Sequence, residues 1–255
     1  AEFGQFLDRY LLWIRSSKRL SSSDLLNLRV ALGWFFAPSS WREFMQDLGQ
    51  SLRQRGAIWL VGLLIAAGLF YLKRWELRKL KDISQIVQHH PVQDSFQLTI
   101  GAFGLTALLA VVWPYVLLFP SAILSGLRDP QPFTAALISG LMEAGKALFV
   151  LNFIYHICRK NGLAQIHFHW PEPARQVLIH NFSWFIPIIA VGTFLFEAME
   201  SVPEMEYSDA LAKFALIGQG AVAALFYARI LRFKGGITSV LIQKYPKSWL
   251  SRLRY

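Results

Sequence analysis

Two residues of opposite charge, Glu143 and Lys146, lie in the middle of a long apolar segment of this 255-residue chain. A charge at the centre of a membrane helix costs at least about 2.5 kcal/mol on insertion scales. Because the two residues are three positions apart, their side chains can pair on one helix. Such a pair could relay protons or ions, or it could be structural. We favour the structural pair, because one acid without a file of polar neighbours makes a poor pathway.

Small residues near Glu143 indicate which face of its helix packs against a neighbour. At about 100° per residue, with Ala136 as zero, Gly140 lies at about 40°, Ala147 at about 20° and Glu143 at about −20°. Small residues on one face permit close contact between membrane helices. Ala136, Gly140 and Ala147 therefore predict a helix-packing face that includes Glu143 and places it between helices, with Lys146 at the margin.

A second stripe of small residues lies on the last apolar segment. Gly220, Ala224 and Ala228 are four residues apart, so they share one face of a helix. Gln219 stands beside them as a side chain that can form a hydrogen bond. The spacing predicts another helix-packing face and not a pore.

Two prolines, Pro114 and Pro187, fall inside apolar segments. Each would free a backbone carbonyl one turn back, so we predict a kink at both positions. The kinks are interpreted as features that shape packing. Other prolines, Pro120 among them, are expected in or beside loops.

The remaining reactive residue types do not combine into a site in the sequence. His167 and His169 are two residues apart, yet no Cys or carboxylate nearby completes a set of metal ligands. We find no nucleophile motif and no phosphate-binding glycine loop. Cys158 is the only cysteine, so an internal disulfide is excluded. The sequence therefore predicts a protein that is not an enzyme and has no metal and no cofactor.

Five long apolar segments must position these residues, roughly 57–72, 96–119, 133–157, 176–196 and 211–231. A helix needs about 20 residues to cross a bilayer core of roughly 30 Å. The first segment is short, but Arg55 and Lys73 at its ends can extend to the interfaces. The expected fold class is all-α integral membrane, with about five transmembrane helices within residues 56–233.

Residues 1–55 are patterned as short amphipathic or interfacial helices that lead into the membrane. Ser40 and Glu43 form a predicted capping box. The helix that it starts carries an apolar face that could lie on the outer leaflet or pack on protein: Trp41, Phe44, Met45, Leu48 and Leu52. Upstream, the serines before Asp24 can cap another apolar run, 25–36, which Pro38 ends.

Positive charge predicts the topology. The segments 73–95, 158–175 and 232–255 are rich in Lys and Arg, whereas the loops on the opposite side carry Arg128 and several acids between residues 200 and 209. Short loops rich in Lys and Arg stay in the cytoplasm. The N-terminus is therefore expected outside and residues 234–255 inside, as a basic amphipathic connector. This distribution also explains the net charge of +10, so we expect membrane lipids as partners and no nucleic acid.

Three stretches identify a resemblance: FLDRYLLWIRSS at 6–17, LGWFFAPSSWR at 32–42 and GLAQIHFHW at 162–170. They resemble the inner-membrane domain of the large MscS-like mechanosensitive channels, of the MscK and MscM type. The resemblance implies the inner membrane of a Gram-negative bacterium, a periplasmic N-terminus and assembly as a homoheptamer. It also implies a pore helix and a cytoplasmic vestibule downstream.

The pore helix of that family, rich in glycine and alanine, is not found in this chain. Residues 218–224 are rich in small residues, but Leu225, Phe226, Tyr227 and Arg229 follow them. No pore-lining residue is therefore carried over. A chain that begins at Ala1, without Met or a signal, is expected to be a piece of a longer protein.

The expected function is the peripheral, tension-sensing part of an MscS-like channel, which couples bilayer tension to a downstream pore and protects against osmotic down-shock. Two other classes stay open. A secondary transporter would use Glu143 and Lys146 as a site at the membrane midplane, with Pro114 and Pro187 as matching helix breaks. A non-conducting membrane scaffold would need only the packing faces.

Overall fold

The computed structural model describes residues 22–89, 96–166, 168–202, 208–232 and 235–244. These residues form α-helices joined by turns and contain no strand. The helices, in chain order, are α1 (Ser22–Phe36), α2 (Pro38–His89), α3 (Phe96–Leu124), α4 (Pro132–Cys158), α5 (Leu163–Ile166), α6 (Glu172–Glu200), α7 (Ser208–Ile230) and α8 (Ile237–Lys244).

Five of the described helices are long and apolar enough to cross a membrane, which confirms the predicted fold class. The candidate spans are Pro38–Lys73, Thr99–Leu124, Pro132–Ile166, Glu172–Glu200 and Ser208–Ile230. They exceed the apolar segments of the sequence because their polar ends are helical as well. Pro120, for example, lies inside α3 and not in or beside a loop as predicted.

The long helices pack mainly against their neighbours along the chain. α4 lies in the middle, between α3 and α6, while α2 packs on α3 and α7 packs on α6. Between the middle of α6 and the C-terminal part of α7, Phe185 and Phe226 stack with ring centroids 4.0 Å apart, within a buried cluster that includes Phe182 and Ile230. Helices that are apolar around most of their circumference can pack in this way and still present apolar surface outward.

α1 lies across the ends of α4, α6 and α7. Its Ala31 and Phe35 join a buried cluster with Phe133 of α4 and Met199 of α6. Phe133 is fully buried, and the rings of Trp34, Phe35 and Trp41 surround it at centroid distances of 5.2, 5.7 and 5.3 Å. The N-terminal helices therefore pack on protein at Phe44 and through one side of the Trp41 ring, which is otherwise exposed, while Met45 and Leu52 are exposed.

The capping box predicted at Ser40 is wrong. α2 begins at Pro38, where a proline is favoured in the first turn, so Ser40 already lies within the helix. Its Oγ donates to the Trp34 carbonyl at 2.8 Å, and Trp41 Nε1 donates to the Phe35 carbonyl at 3.1 Å. Both bonds satisfy carbonyls that the end of α1 leaves without partners inside the helix.

Candidate functional site: intramembrane charges and helix ends

The intramembrane pair lies on α4. Lys146 Nζ is 2.5 Å from Glu143 Oε1, and the side chains keep 58% and 38% of their exposure, respectively. Glu143 is thus at the surface of the described helices, and not enclosed between two of them as the small-residue pattern predicts. Glu143 shares its side of α4 with small residues, but its carboxylate is exposed there and is not covered by a neighbouring helix.

A second carboxylate, from α6, accompanies the pair. Glu197 interacts electrostatically with Glu143, Glu200 and Lys146. Sequence reasoning missed it because Glu197 stands near the end of a different helix. We name Glu143, Lys146 and Glu197 the charged cluster; Lys146 is its one amine, and Glu200 adds a further acid near Glu197. Among the described residues, no group of three His, Cys, Asp or Glu side chains could hold a metal ion.

The small residues of α4 are placed where neighbouring helices approach. Ala136 is fully buried, and Ala147 is partly buried. A Cβ added at Gly140 would lie 2.7 Å from the carbonyl oxygen of Phe194, so α4 and α6 approach closely there. Gly145, which the sequence pattern did not single out, is covered from the other side by Leu118 of α3.

The stripe on α7 is placed differently. Gly220, Ala224 and Ala228 are exposed, and a Cβ at Gly220 would meet nothing within 4 Å. Among the described helices they make no packing face. Beside the stripe, Gln219 contacts α6 instead: its Oε1 accepts a hydrogen bond from Thr193 Oγ1 at 3.1 Å, and its side chain lies over Gly192.

The two candidate kink prolines differ in surroundings. Pro114 is buried in α3, Pro187 is exposed on α6, and both helices are continuous through them. α2, by contrast, departs from helical geometry at Arg55, where φ is −132° and ψ is 26°. The sequence offered only a weak signal for this bend, the glycine that follows at position 56.

Arg55 is bound to the end of α3. Its Nη1 donates to the carbonyl of Ile123 at 3.1 Å, and its Nη2 donates to the carbonyl of Gly126 at 2.6 Å. The C-terminal end of a helix carries partial negative charge and carbonyls without intrahelical partners, so a guanidinium suits both. A Cβ at Gly126 would overlap the guanidinium, so the missing side chain makes room for Arg55.

Asp47, also on α2, is bound to the start of α4. Its Oδ2 accepts a hydrogen bond from the backbone N–H of Gln131, the N-cap residue, at 2.9 Å. Asp47 is buried, and a carboxylate is favoured at the positive end of a helix. α2 thus contributes an acid and a cation to the two ends of one turn, residues 125–131.

Two further charged residues are buried at helix ends. Arg175, which the topology argument treats as a loop cation, is buried in α6, with Nη1 3.5 Å from the Cys158 carbonyl and 3.4 Å from the Arg159 carbonyl. Lys213 of α7 pairs with Asp24 of α1 at 3.7 Å, and both side chains are largely buried. Sequence reasoning assigned no role to Lys213, although a lone cation in an apolar segment is a signal for a partner.

α2 is the most exposed of the candidate spans. Only 6% of its apolar window is buried, compared with 39% for α3. Large apolar side chains around much of the circumference of α2 are therefore exposed: Ile58, Leu60, Val61, Leu63, Leu64 and Ile65. On a helix of a length that crosses a membrane, this surface suits lipid.

Comparison with known proteins gives one match. A family model described as the mechanosensitive ion channel inner membrane domain 1 matches residues 56–255. The match begins directly after the bend at Arg55. No curated protein and no solved structure matches the chain significantly.

Proposed function

Because this chain belongs to the mechanosensitive ion channel inner-membrane domain family, we propose that it is the peripheral, tension-sensing part of an MscS-like channel. In this proposal the domain couples bilayer tension to a pore outside these residues and opens it during osmotic down-shock. The full-length protein is a homoheptamer in the inner membrane of a Gram-negative bacterium. Its N-terminal side is periplasmic and residues 234–255 are cytoplasmic.

The observation that carries the proposal is the exposure of α2. Tension favours the state that occupies the larger membrane area, so a sensing element needs lipid contacts that differ between states. With 6% of its apolar window buried, α2 has more surface available to lipid than the other four candidate spans. It can therefore respond to bilayer thickness and area.

Two hydrogen bonds between the described spans support a pore outside these helices. Tyr115 donates to the carbonyl of Gly62 at 3.2 Å, and Thr193 donates to Gln219 at 3.1 Å. Each bond joins two adjacent helices and uses the polar group for packing. Polar groups that are used in this way hold helices together and are not free to line a channel.

The test is a recording of the full-length protein in membrane patches under suction, with matched patches that lack it. We expect stretch-activated currents from the full-length protein only. A chain limited to residues 1–255, reconstituted in liposomes, is expected to conduct nothing. Stretch-activated current from that chain would place the pore within these helices and refute the coupling role.

A further inference from the structure

The turn between α3 and α4 is held by two charged side chains of α2. Arg55 binds the carbonyls of Ile123 and Gly126, and Asp47 binds the N–H of Gln131. We propose that these residues form a turn latch, a positioning device that makes the lipid-facing part of α2 move together with α3 and α4. The consequence for gating rests on the proposed function, while the latch itself does not.

The two bonds of Arg55 require a guanidinium. The carbonyls of Ile123 and Gly126 belong to different residues at the end of α3, and Nη1 and Nη2 reach one each. A planar guanidinium donates in several fixed directions, whereas a lysine amine is a point charge on a flexible stem. Bonds with a charged donor are also stronger than neutral ones. Arg55 therefore holds α3 at a defined distance.

Gly126 and Asp47 complete the latch from opposite sides. A side chain at position 126 would overlap the guanidinium, so the glycine is a condition for the Arg55 bonds. Asp47 lies about two turns before Arg55 on α2 and is buried against the start of α4. The same helix thus complements the partial negative charge at the end of α3 and the partial positive charge at the start of α4.

The position of the latch gives it a mechanical role. The backbone of α2 leaves helical geometry at Arg55 itself, so the bend and the anchor coincide. Beyond the bend begins the apolar segment with little burial, which meets α3 at Tyr115 and Phe119 through Gly62 and Trp59. A lateral force on this exposed segment therefore acts on α3 through these contacts and, at the bend, on the turn between α3 and α4 through the latch.

The experiment uses the full-length protein with either Arg55→Gln or Gly126→Ala. Arg55→Gln removes the guanidinium donor, and Gly126→Ala fills the space that the guanidinium occupies. Both variants lose the Arg55 bonds and should therefore behave alike. Arg53→Gln is the matched control for charge, since Arg53 is exposed two residues away. Gly104→Ala is the control for the added methyl group, since a Cβ there meets nothing within 4 Å.

The first readout is amide hydrogen exchange of the peptide that covers residues 124–131, in liposomes without tension. Charge-assisted hydrogen bonds restrict local opening of the backbone that they hold, so we expect exchange at least about tenfold faster in both latch variants. The controls should exchange like the wild type. Unchanged exchange in both latch variants would overturn the latch, whatever the channel does.

The second readout is the opening tension in patches. We expect both latch variants to need more tension to open, with unchanged unitary conductance, because the Arg55 bonds no longer transmit movement of α2 to the turn between α3 and α4. The opening tension of the double variant should be no higher than that of either single variant, because both changes remove the same Arg55 bonds. Faster exchange with an unchanged opening tension would overturn the coupling. If the wild type gives no stretch-activated current, the proposed function fails, and the exchange data still decide whether the latch exists.

Discussion

Lys146 has two acidic neighbours, and this changes what its removal should do. Its amine is 2.5 Å from Glu143 on its own helix and also interacts with Glu197 on α6. Without Glu143, the amine still has an acid nearby. Without Lys146, two carboxylates remain together at a membrane-spanning helix surface. An unpaired charge costs more than a missing pair.

We therefore expect Lys146→Ala to lower the melting temperature in detergent more than Glu143→Ala does. The double variant should be more stable than Lys146→Ala alone, because it removes one of the two acids left unpaired. For a chain of this size, about 1 kcal/mol corresponds to about 2 to 4 °C. Lys160→Ala, at an exposed position, is the control for the loss of one positive charge. A larger effect of Glu143→Ala would contradict the arrangement.

At the scale of the helices, charged side chains from one element bind the ends of another. Arg55 of α2 binds the end of α3, Arg175 of α6 binds the end of α4, and Asp47 of α2 binds the start of α4. Each charge has the sign that the helix end favours. Helix ends within or near a membrane need such partners because water is scarce there.

Two glycines provide a matched test of helix packing. Gly140→Ala would place a methyl group 2.7 Å from the backbone oxygen of Phe194, which can move only if α4 and α6 separate. We expect it to lower the melting temperature by several degrees. Gly220→Ala meets open space and replaces glycine by a better helix former, so we expect no loss of stability. Melting curves of both variants in detergent measure the difference. An equal loss of melting temperature in the two variants would refute the assigned packing.

Pro114 is the candidate for flexibility within α3. Replacing it with alanine restores a backbone N–H that can bond one turn back, which stiffens the helix. In the full-length channel we expect Pro114→Ala to raise the opening tension and leave unitary conductance unchanged. Pro187→Ala, on a helix that packs mainly on α4 and α7, should shift the opening tension less. An altered unitary conductance in Pro114→Ala would place α3 at the pore.

At the scale of the whole domain, orientation follows from the distribution of charge. Burial of Arg175 removes one cation from the loop charge, whereas Lys213, which lies inside α7 and pairs with Asp24, is not a loop cation. The basic residues of the loops and of the C-terminal segment still favour one side, because residues 73–81 and 232–254 contain most of these loop and C-terminal cations. The topology prediction is therefore unaffected by the folded positions of these two residues.

Single cysteines test the orientation on a Cys158→Ser background. Ser201 follows the C-terminal end of α6, and Lys160 follows the C-terminal end of α4. Both are exposed, and the topology prediction puts them on opposite sides of the membrane, so they form a matched pair of sites. In intact spheroplasts we expect an impermeant thiol reagent to label Ser201→Cys and not Lys160→Cys. The reverse pattern would invert the model of the membrane topology.

The sequence alone determined the helical class, the five spans and the family, because hydrophobic length and local motifs are properties of neighbouring residues. It also placed the Glu143 and Lys146 pair, which lies within one turn of one helix. Tertiary structure decided the rest. The contacts of Arg55, Asp47 and Glu197 join residues on different helices, and the exposed stripe at Gly220 looks in sequence like the packed face at Gly140. Local spacing defines a face of a helix, but only the position of the neighbouring helices decides what that face meets.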